Sequence, residues 1–317
     1  DRVQPLLLGG IGLALDARDL LADVRDDEKA RVGAGGLPDK GAALVGHLDL
    51  VQLLKEYADA FEDRHDLEGT VIAAAGPVLD GEVKLTNADV TIRGAAIREI
   101  LHRPVQLLND LEAVAWALPM LTASDLRTLL ACDMPLEGGK LAINIGTGFG
   151  AALLIETPRG SHVCALEPGH MKLASARGCE PAKVTAHLSV EDVLSGLALG
   201  MPSSLAGFWR WDNAASIDIH QLFSTASDTR DGQRFISEFS ALFGQVCGDL
   251  VLATGAWGGV YLTGSVATSW SSAANLDAFS AAFRDKGPMS ARMARVPVHV
   301  IAATHPALIG LAAAPLF

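Results

Sequence analysis

The sequence predicts an α/β protein of two domains, and three observations support this prediction. The 317 residues are more than one hydrophobic core usually holds. Short apolar runs typical of buried strands alternate with segments of helical spacing, as in a sheet with some parallel pairing. Half of the residues are hydrophobic (50%) and 20% are charged, a balance that suits a buried core rather than a disordered chain.

The first fifty residues are rich in glycine and charge, and one apolar run stands out among them. Residues 5–15, PLLLGGIGLAL, are too few to span a bilayer. The run resembles the apolar part of a signal peptide, but an acidic residue rather than a basic stretch precedes it. We therefore expect a buried strand–turn–strand here, and no membrane segment elsewhere.

The next elements alternate between helix and strand. Residues 47–65 have apolar side chains at helical spacing and predict a helix. Strands follow at TVIAAAG (70–76) and GEVKLTN (81–87), then a helix at 92–101 and a buried strand at 104–108. This rhythm predicts parallel strands joined by helices.

The second half begins with three strands connected by tight turns. KLAINIGTGFGAALLIE (140–156) holds two apolar strands about a glycine turn, and HVCALE (162–167) is the third strand of a meander. The remaining elements are a long helix at 234–254, a strand at 258–265, a helix at 275–285, a strand at 296–302 and a helix from Pro306.

Net charge and cysteine usage limit the class of protein. The formal net charge is −12 and the isoelectric point is about 5.1, which argues against a nucleic-acid partner, since phosphate binding needs clustered Lys and Arg. The cysteines form no C-x-x-C pair and suggest reduced, buried thiols, so we expect a cytoplasmic protein. They are Cys132, Cys164, Cys179 and Cys247.

The glycine turn IGTGFG (145–150) is a candidate phosphate site. It lacks the Gly-Lys-Ser/Thr of a Walker loop, and a strand follows it where a dinucleotide fingerprint needs a helix. Gly146, Gly148 and Gly150 would let the backbone approach a ligand, with N–H groups and the Thr147 hydroxyl around a phosphate. An ordinary glycine hairpin is the alternative.

A second candidate is the turn in ALEPGH (165–170). Pro-Gly in its middle would bring Glu167 and His170 within a few ångströms of each other, so that both reach one polar ligand such as a sugar. A solvated turn is the alternative. Zinc would pair His170 with Cys179, but no further ligand has suitable spacing, so we predict no metal site.

Two further carboxylates have both a structural and a functional interpretation. Asp110 lies where a strand ends and a helix begins, so it is either the N-cap or a general base at the carboxyl end of a strand. Glu191, in SVEDVLSG (189–196), either contributes to helix electrostatics or binds a ligand.

Together the motifs resemble the bacterial glucokinase family of the hexokinase/actin-like superfamily. They are AAAGPV, LTN, LNDLEAVAWALPML, IGTGFG, LEPGH, VEDVLSG, GGVYLTGSV and AFRDKGPM, in this order from about residue 50 onward. The resemblance implies a two-domain actin-like/hexokinase (ribonuclease H-like) fold with an interdomain cleft. Residues 1–108 with 304–317 would form the small α/β domain, and 109–303 the large α/β domain.

The resemblance also implies an activity, ATP-dependent phosphorylation of glucose or a related hexose at the 6-hydroxyl, with Asp110 as general base. The implied sugar ligands are Asn109, Glu167, His170 and Glu191. The implied ATP contacts are Gly146, Thr147, Gly148, Gly150 and Gly264, with Mg²⁺ offsetting the phosphate charge. We also expect a homodimer.

The chain departs from the family at its first phosphate motif, Gly-Asp-x-Gly-Gly-Thr-Asn. Gly10 stands where the Asp is expected, and Leu13, Ala14 and Leu15 replace Gly-Thr-Asn. Loss of this charge and hydroxyl would lower the rate, because both would stabilise the transition state. A non-catalytic sugar-binding relative that acts as a sensor or regulator is therefore the alternative.

Overall fold

The computed structural model describes residues 10–15, 30–33, 40–42, 69–85, 91–173, 188–211 and 221–316. The predicted helix over 47–65 lies outside these ranges. The chain divides into two compact units, residues 1–120 with 304–317 and residues 121–303. Residues 109–120, which the sequence analysis placed with the large domain, belong to the first unit because their helix packs against the helix that begins at Pro306.

The described part of the first unit contains one mixed sheet, one small antiparallel sheet and three helices. Its strands are β1 (Gly10–Leu15), β2 (Ala30–Gly33), β3 (Lys40–Ala42), β4 (Gly69–Ala74), β5 (Val78–Leu79), β6 (Glu82–Lys84), β7 (Thr91–Arg93) and β8 (Val105–Asn109). Its helices are α1 (Gly94–Leu101), α2 (Asp110–Ala117) and α11 (Pro306–Ala313). The mixed sheet has the order β3-β2-β1-β4-β8, and β5, β6 and β7 form the other sheet.

Strand register brings the carboxyl ends of β1, β4 and β8 to one edge of the mixed sheet. These strands are parallel, with Leu15 paired with Ala74 and Ala74 paired with Asn109. The predicted strand–turn–strand covers residues 5–15, and of these the structure describes Gly10–Leu15, one strand paired with β4 along its whole length. The rest of that prediction lies outside the described residues. Asp110 follows β8 at the sheet edge where α/β proteins place ligand sites.

The described part of the second unit contains a six-stranded sheet and several helices. Its strands are β9 (Leu126–Leu130), β10 (Lys140–Ile145), β11 (Phe149–Thr157), β12 (Gly160–Leu166), β13 (Gly259–Thr263) and β14 (Val298–Ile301). Its helices are α3 (Glu191–Leu194), α4 (Gly196–Leu199), α5 (Pro202–Gly207), α6 (Leu222–Ser227), α7 (Arg230–Thr254), α8 (Ser265–Ala273), α9 (Leu276–Arg284) and α10 (Ser290–Met293).

The two large sheets share one topology. The second has the order β12-β11-β10-β13-β14-β9, with β10, β11 and β12 antiparallel and β10, β13 and β14 parallel. Apart from β9, the first sheet has the same arrangement. The strands β1, β2 and β3 form an antiparallel meander, and the parallel strands β4 and β8 lie on the other side of β1. The predicted meander and the α/β class are confirmed. The antiparallel edge strand β9 was not predicted.

Helix α7 organises the core of the second unit. Thr229 caps its N-terminus by accepting from Gly232 N–H, and Gly255 ends it in a left-handed conformation. Phe235, Phe239 and Phe243 recur every four residues and are fully buried. Among the described helices, α7 alone is long and apolar enough to cross a membrane, and 67% of its apolar window is buried inside the protein.

The expectation of buried cysteines holds for one of the three thiols that the structure describes. Cys247 on α7 is buried, and burial raises the pKa of its thiol. Cys164 is exposed on β12, because alternate side chains of this edge strand point to solvent, and Cys132 is partly buried. Cys179 lies outside the described residues.

Two glycines allow α7 and α9 to pack closely. A Cβ at Gly244 would meet the carbonyl oxygen of Phe279, and one at Gly248 would lie 2.5 Å from the carbonyl oxygen of Phe283. The spacing of four residues puts both glycines on the α7 face that contacts α9.

We expect Gly244→Ala to lower the free energy of unfolding by about 1–3 kcal/mol, since the added methyl forces the two helices apart. Denaturant titration measures the change. Gly207→Ala is the matched control, because a Cβ there meets nothing within 4 Å. Equal stabilities of the two variants would contradict the packing argument.

Candidate functional site

The junction of β8 and α2 forms the candidate site of the first unit. Asn109 is the N-cap, since its Oδ1 accepts from Leu111 N–H at 2.9 Å and its own N–H donates to Glu112 Oε2 at 2.8 Å. The N-cap interpretation of Asp110 is therefore corrected, because Asp110 is the first residue of the helix. Sequence reasoning missed that Asn109 and Glu112 form a capping box, although their spacing signals one.

The side-chain amide of Asn109 also binds the loop after β4. Its Nδ2 donates to Gly76 O at 3.1 Å. Gly76 has φ +153°, and a Cβ there would lie 2.5 Å from Lys84 O, so the loop needs glycine. Both polar atoms of the Asn109 amide thus have protein partners, and this structural role accompanies the predicted sugar contact.

Asp110 places a half-buried carboxylate at the start of α2. Its Oδ1 accepts from Leu111 N–H at 2.9 Å, and the positive end of the helix dipole favours its charge. Helix α2 is positioned by α11, since Gly310 lies so close to Ala113 that a Cβ would meet the Ala113 carbonyl oxygen. The orientation of Asp110 therefore depends on a close helix–helix contact.

The glycine hairpin between β10 and β11 belongs to the second unit. Gly146 N–H donates to Gly148 O at 3.1 Å within the turn. The carbonyl oxygens of Gly146 and Thr147 accept from Gly196 N–H at 2.7 Å and Leu197 N–H at 3.0 Å. The carbonyl side of the turn therefore faces the start of α4. The Gly146 N–H, predicted to surround a phosphate, is already used inside the turn.

Glu191 holds the end of this hairpin. Its Oε2 accepts from Phe149 N–H at 2.8 Å, and a Cβ at Gly148 would lie 2.7 Å from the same oxygen. Gly150 continues into β11 and pairs with Asn144 across the hairpin. Because of this contact, Glu191 has a structural role in addition to any ligand role.

The predicted turn at 167–170 adjoins the same carboxylate. His170 N–H donates to Glu167 O at 3.2 Å, which closes the turn, and both side chains are exposed. A Cβ at Gly169 would lie 3.2 Å from Glu191 Oε2 and would meet Phe149 O. The structure therefore brings the turn, Glu191 and the hairpin together.

Gly264 also reaches the hairpin. It has φ +96°, and a Cβ there would meet Asn144 Oδ1 and Ile145 O. The Asn144 amide lies 3.5 Å from the position of a Cβ at Gly146, so it stands between the two predicted ATP-contacting glycines. Sequence reasoning missed Asn144, whose signal is one amide in the otherwise apolar strand LAINI.

A short polar turn before α3 lowers the pKa of Asp192. The N–H and hydroxyl of Ser189 donate to Asp192 Oδ2 at 2.8 and 2.7 Å, and these bonds lower the pKa of Asp192, with a smaller contribution from His170. Within the described ranges, no group of three or more His, Cys, Asp and Glu side chains could hold a metal ion.

Comparisons with known proteins place this chain in a family. Residues 42–316 match the family model Glucokinase. The chain is 31% identical to the glucokinase of Ralstonia nicotianae over 262 residues, which cover 77% of each chain. It is also 31% identical to the glucokinase of Cupriavidus pinatubonensis over 291 residues, 86% of this chain and 83% of the relative. The chain belongs to the glucokinase family.

Solved structures support the fold. A glucokinase from an Antarctic psychrotroph superposes with a TM-score of 0.75 at 24% identity, covering 96% of this chain and 97% of that one. A glucokinase from Balamuthia mandrillaris in complex with glucose gives 0.69 at 17% identity, with 96% and 92% covered. The predicted actin-like/hexokinase fold is confirmed.

We expect Ser189→Ala to raise the pKa of Asp192 toward its usual value of 3.8 without reaching it, because the hydroxyl is lost while the backbone N–H remains. The stability that this carboxylate contributes is present above pH 3.8 and lost as pH falls through the lowered pKa of the folded state, so the variant should lose less stability on acidification.

Carboxyl NMR titration measures this pKa directly. Asp125 is an internal control, since its pKa is lowered in the same way by the hydroxyl and N–H of Thr122 and should not change in the variant. An unchanged pKa at Asp192 would refute the assignment.

Proposed function

We propose that this protein transfers the γ-phosphoryl group of ATP to the 6-hydroxyl of glucose. The observation that carries the proposal is membership of the glucokinase family over residues 42–316, a range that includes every predicted sugar and ATP contact. The Balamuthia mandrillaris relative, which was solved with glucose, supports the choice of sugar.

In this proposal Asp110 is the general base. The sugar 6-hydroxyl gives its proton to the Asp110 carboxylate as the oxygen forms a bond to the γ-phosphorus, and the bond from that phosphorus to the β–γ bridging oxygen breaks to release ADP. The helix dipole and the Leu111 N–H stabilise the carboxylate before the transfer.

The proposed sugar ligands are polar side chains at the sites described above. Asn109 adjoins the base, and Glu167, His170 and Glu191 form a group of donors and acceptors in the second unit, as a hexose with neighbouring hydroxyls needs. The exposure of Glu167 and His170 leaves their polar atoms accessible to such a ligand.

The proposed nucleotide contacts are the hairpin residues Gly146, Thr147, Gly148 and Gly150, with Gly264. Within this set the N–H group of Gly146 already donates to Gly148 O, and the neighbouring Phe149 N–H donates to Glu191. We propose that Mg²⁺ enters with ATP as part of the substrate. It neutralises phosphate charge.

A second candidate function is sugar sensing without catalysis. The observation that favours it is the altered first phosphate motif at Gly10 and Leu13 to Leu15. A ROK family transcriptional regulator, a homologue of the E. coli MLC protein, also shares the fold, with a TM-score of 0.63 at 16% identity. A cytoplasmic homodimer without nucleic-acid or membrane partners remains our proposal under either function.

Asp110→Asn should lower kcat by about 10²–10⁴-fold while glucose still binds, because the amide keeps the shape but cannot take the proton. A coupled ADP-release assay measures turnover, and calorimetric titration measures glucose binding. Asp277→Asn is the matched control, an exposed aspartate in the first turn of α9 whose loss should leave kcat unchanged.

The outcomes separate the candidate functions. Glucose binding without turnover by the unaltered protein would exclude the kinase and favour the sensor. Full turnover by Asp110→Asn would remove Asp110 from the chemistry. No heat with any hexose would exclude both functions.

A further inference from the structure

We infer that Glu191 couples sugar occupancy to nucleotide affinity within the second unit, because one carboxylate holds both the proposed sugar turn and the phosphate hairpin. The inference rests on the proposed function, in which Glu191 binds the sugar, and it adds regulation of the same site. Glu191 acts on the nucleotide as a positioning residue, through the hairpin.

The first link is the hydrogen bond between Glu191 Oε2 and Phe149 N–H, at 2.8 Å. Phe149 is buried and begins β11 directly after the turn 146–148. A buried N–H without an acceptor is costly, so the hairpin keeps this conformation only while the carboxylate stays in place.

The second link is a lack of space around the carboxylate. Glycine lies on both sides of Glu191 Oε2, with Gly148 from the hairpin and Gly169 from the turn. Their hypothetical Cβ atoms would be 2.7 and 3.2 Å from that oxygen. A movement of the carboxylate therefore disturbs both elements.

The third link is the backbone around Glu191. Val190 N–H donates to Met171 O at 2.9 Å, just beyond the turn, and Gly196 N–H donates to Gly146 O at 2.7 Å. Residues 190–196 thus bond to the turn region on one side and to the hairpin on the other. The described contacts connect the two proposed subsites without any step through the first unit.

The negative charge of Glu191 determines whether bound glucose tightens or weakens nucleotide binding. An anionic carboxylate beside the hairpin repels nucleotide phosphates, and one unit charge about 6 Å away in water contributes roughly 0.7 kcal/mol, or about threefold in affinity. Among described residues, Glu191 Oε1 accepts no hydrogen bond. Sugar hydroxyls that donate to Oε1 would spread this charge and fix the carboxylate, so bound glucose should tighten nucleotide binding.

The test measures the affinity of a non-hydrolysable ATP analogue with Mg²⁺ by calorimetry, with and without saturating glucose. For the unaltered protein we expect glucose to tighten analogue binding by up to about threefold, the full effect of the Glu191 charge. Reciprocity requires the analogue to tighten glucose binding by the same factor.

Glu191→Gln is the informative variant, because its amide oxygen can still accept from Phe149 N–H while the charge is removed. We expect glucose-free analogue binding to become about threefold tighter and the glucose effect to fall toward one. A residue that only stabilises the fold would not give tighter nucleotide binding on substitution. Glu156→Gln is the matched control, an exposed carboxylate seven residues after Phe149 on the same strand, and it should behave as the unaltered protein.

Each outcome is decisive. Equal analogue affinity with and without glucose, in a protein that binds glucose, would overturn the coupling and leave the proposed function intact. Unchanged glucose-free analogue affinity in Glu191→Gln, with thermal unfolding showing a folded protein, would also overturn it. Failure of the unaltered protein to bind glucose would overturn the proposed function and the coupling together.

Discussion

The hydrogen bond between Phe149 N–H and the Glu191 carboxylate is the contact on which the site of the second unit depends. It supplies an acceptor for a buried donor at the point where the ladder between β10 and β11 ends at the glycine turn. The glycine at 148 follows from it, since a side chain there would crowd the same oxygen, whereas a side chain at 169 would first meet the Phe149 carbonyl oxygen. The Glu191 carboxylate and the Phe149 backbone together explain why two separate turns each contain glycine.

The proposed phosphate ligands are backbone N–H groups and one hydroxyl, in a protein whose formal net charge is −12. A backbone ligand cannot be replaced by another side chain, so the conformation of the hairpin determines the affinity for the phosphates. The carbonyl oxygens of Gly146 and Thr147 are held by the N–H groups at the start of α4, which turns them away from an anion.

Local sequence patterns predicted most of the strands. The features that they did not predict depend on contacts between residues far apart in the sequence. The meander was predictable because apolar strands alternate with glycine turns. The apolar run at 5–15 predicted strand structure, and its described part, Gly10–Leu15, is a strand paired with β4. Strand β9 was missed because a short edge strand has little apolar pattern. Glu191 could be selected by its motif, but its partner Phe149 is 42 residues away, and no local pattern indicates that bond.

Helix α11 has a consequence for the order in which the protein is made. Leu311 on this helix packs with Val71, Ala73, Leu108 and Ala113, so the first unit is completed by residues that leave the ribosome after the whole of 121–303. The second unit is one continuous segment of the chain and can fold during synthesis. The core beneath the proposed base can form only after α11 has been synthesised. Premature termination within the final helix would therefore release a chain with an intact hairpin unit and an exposed apolar face on α2, a natural substrate for chaperones and proteases.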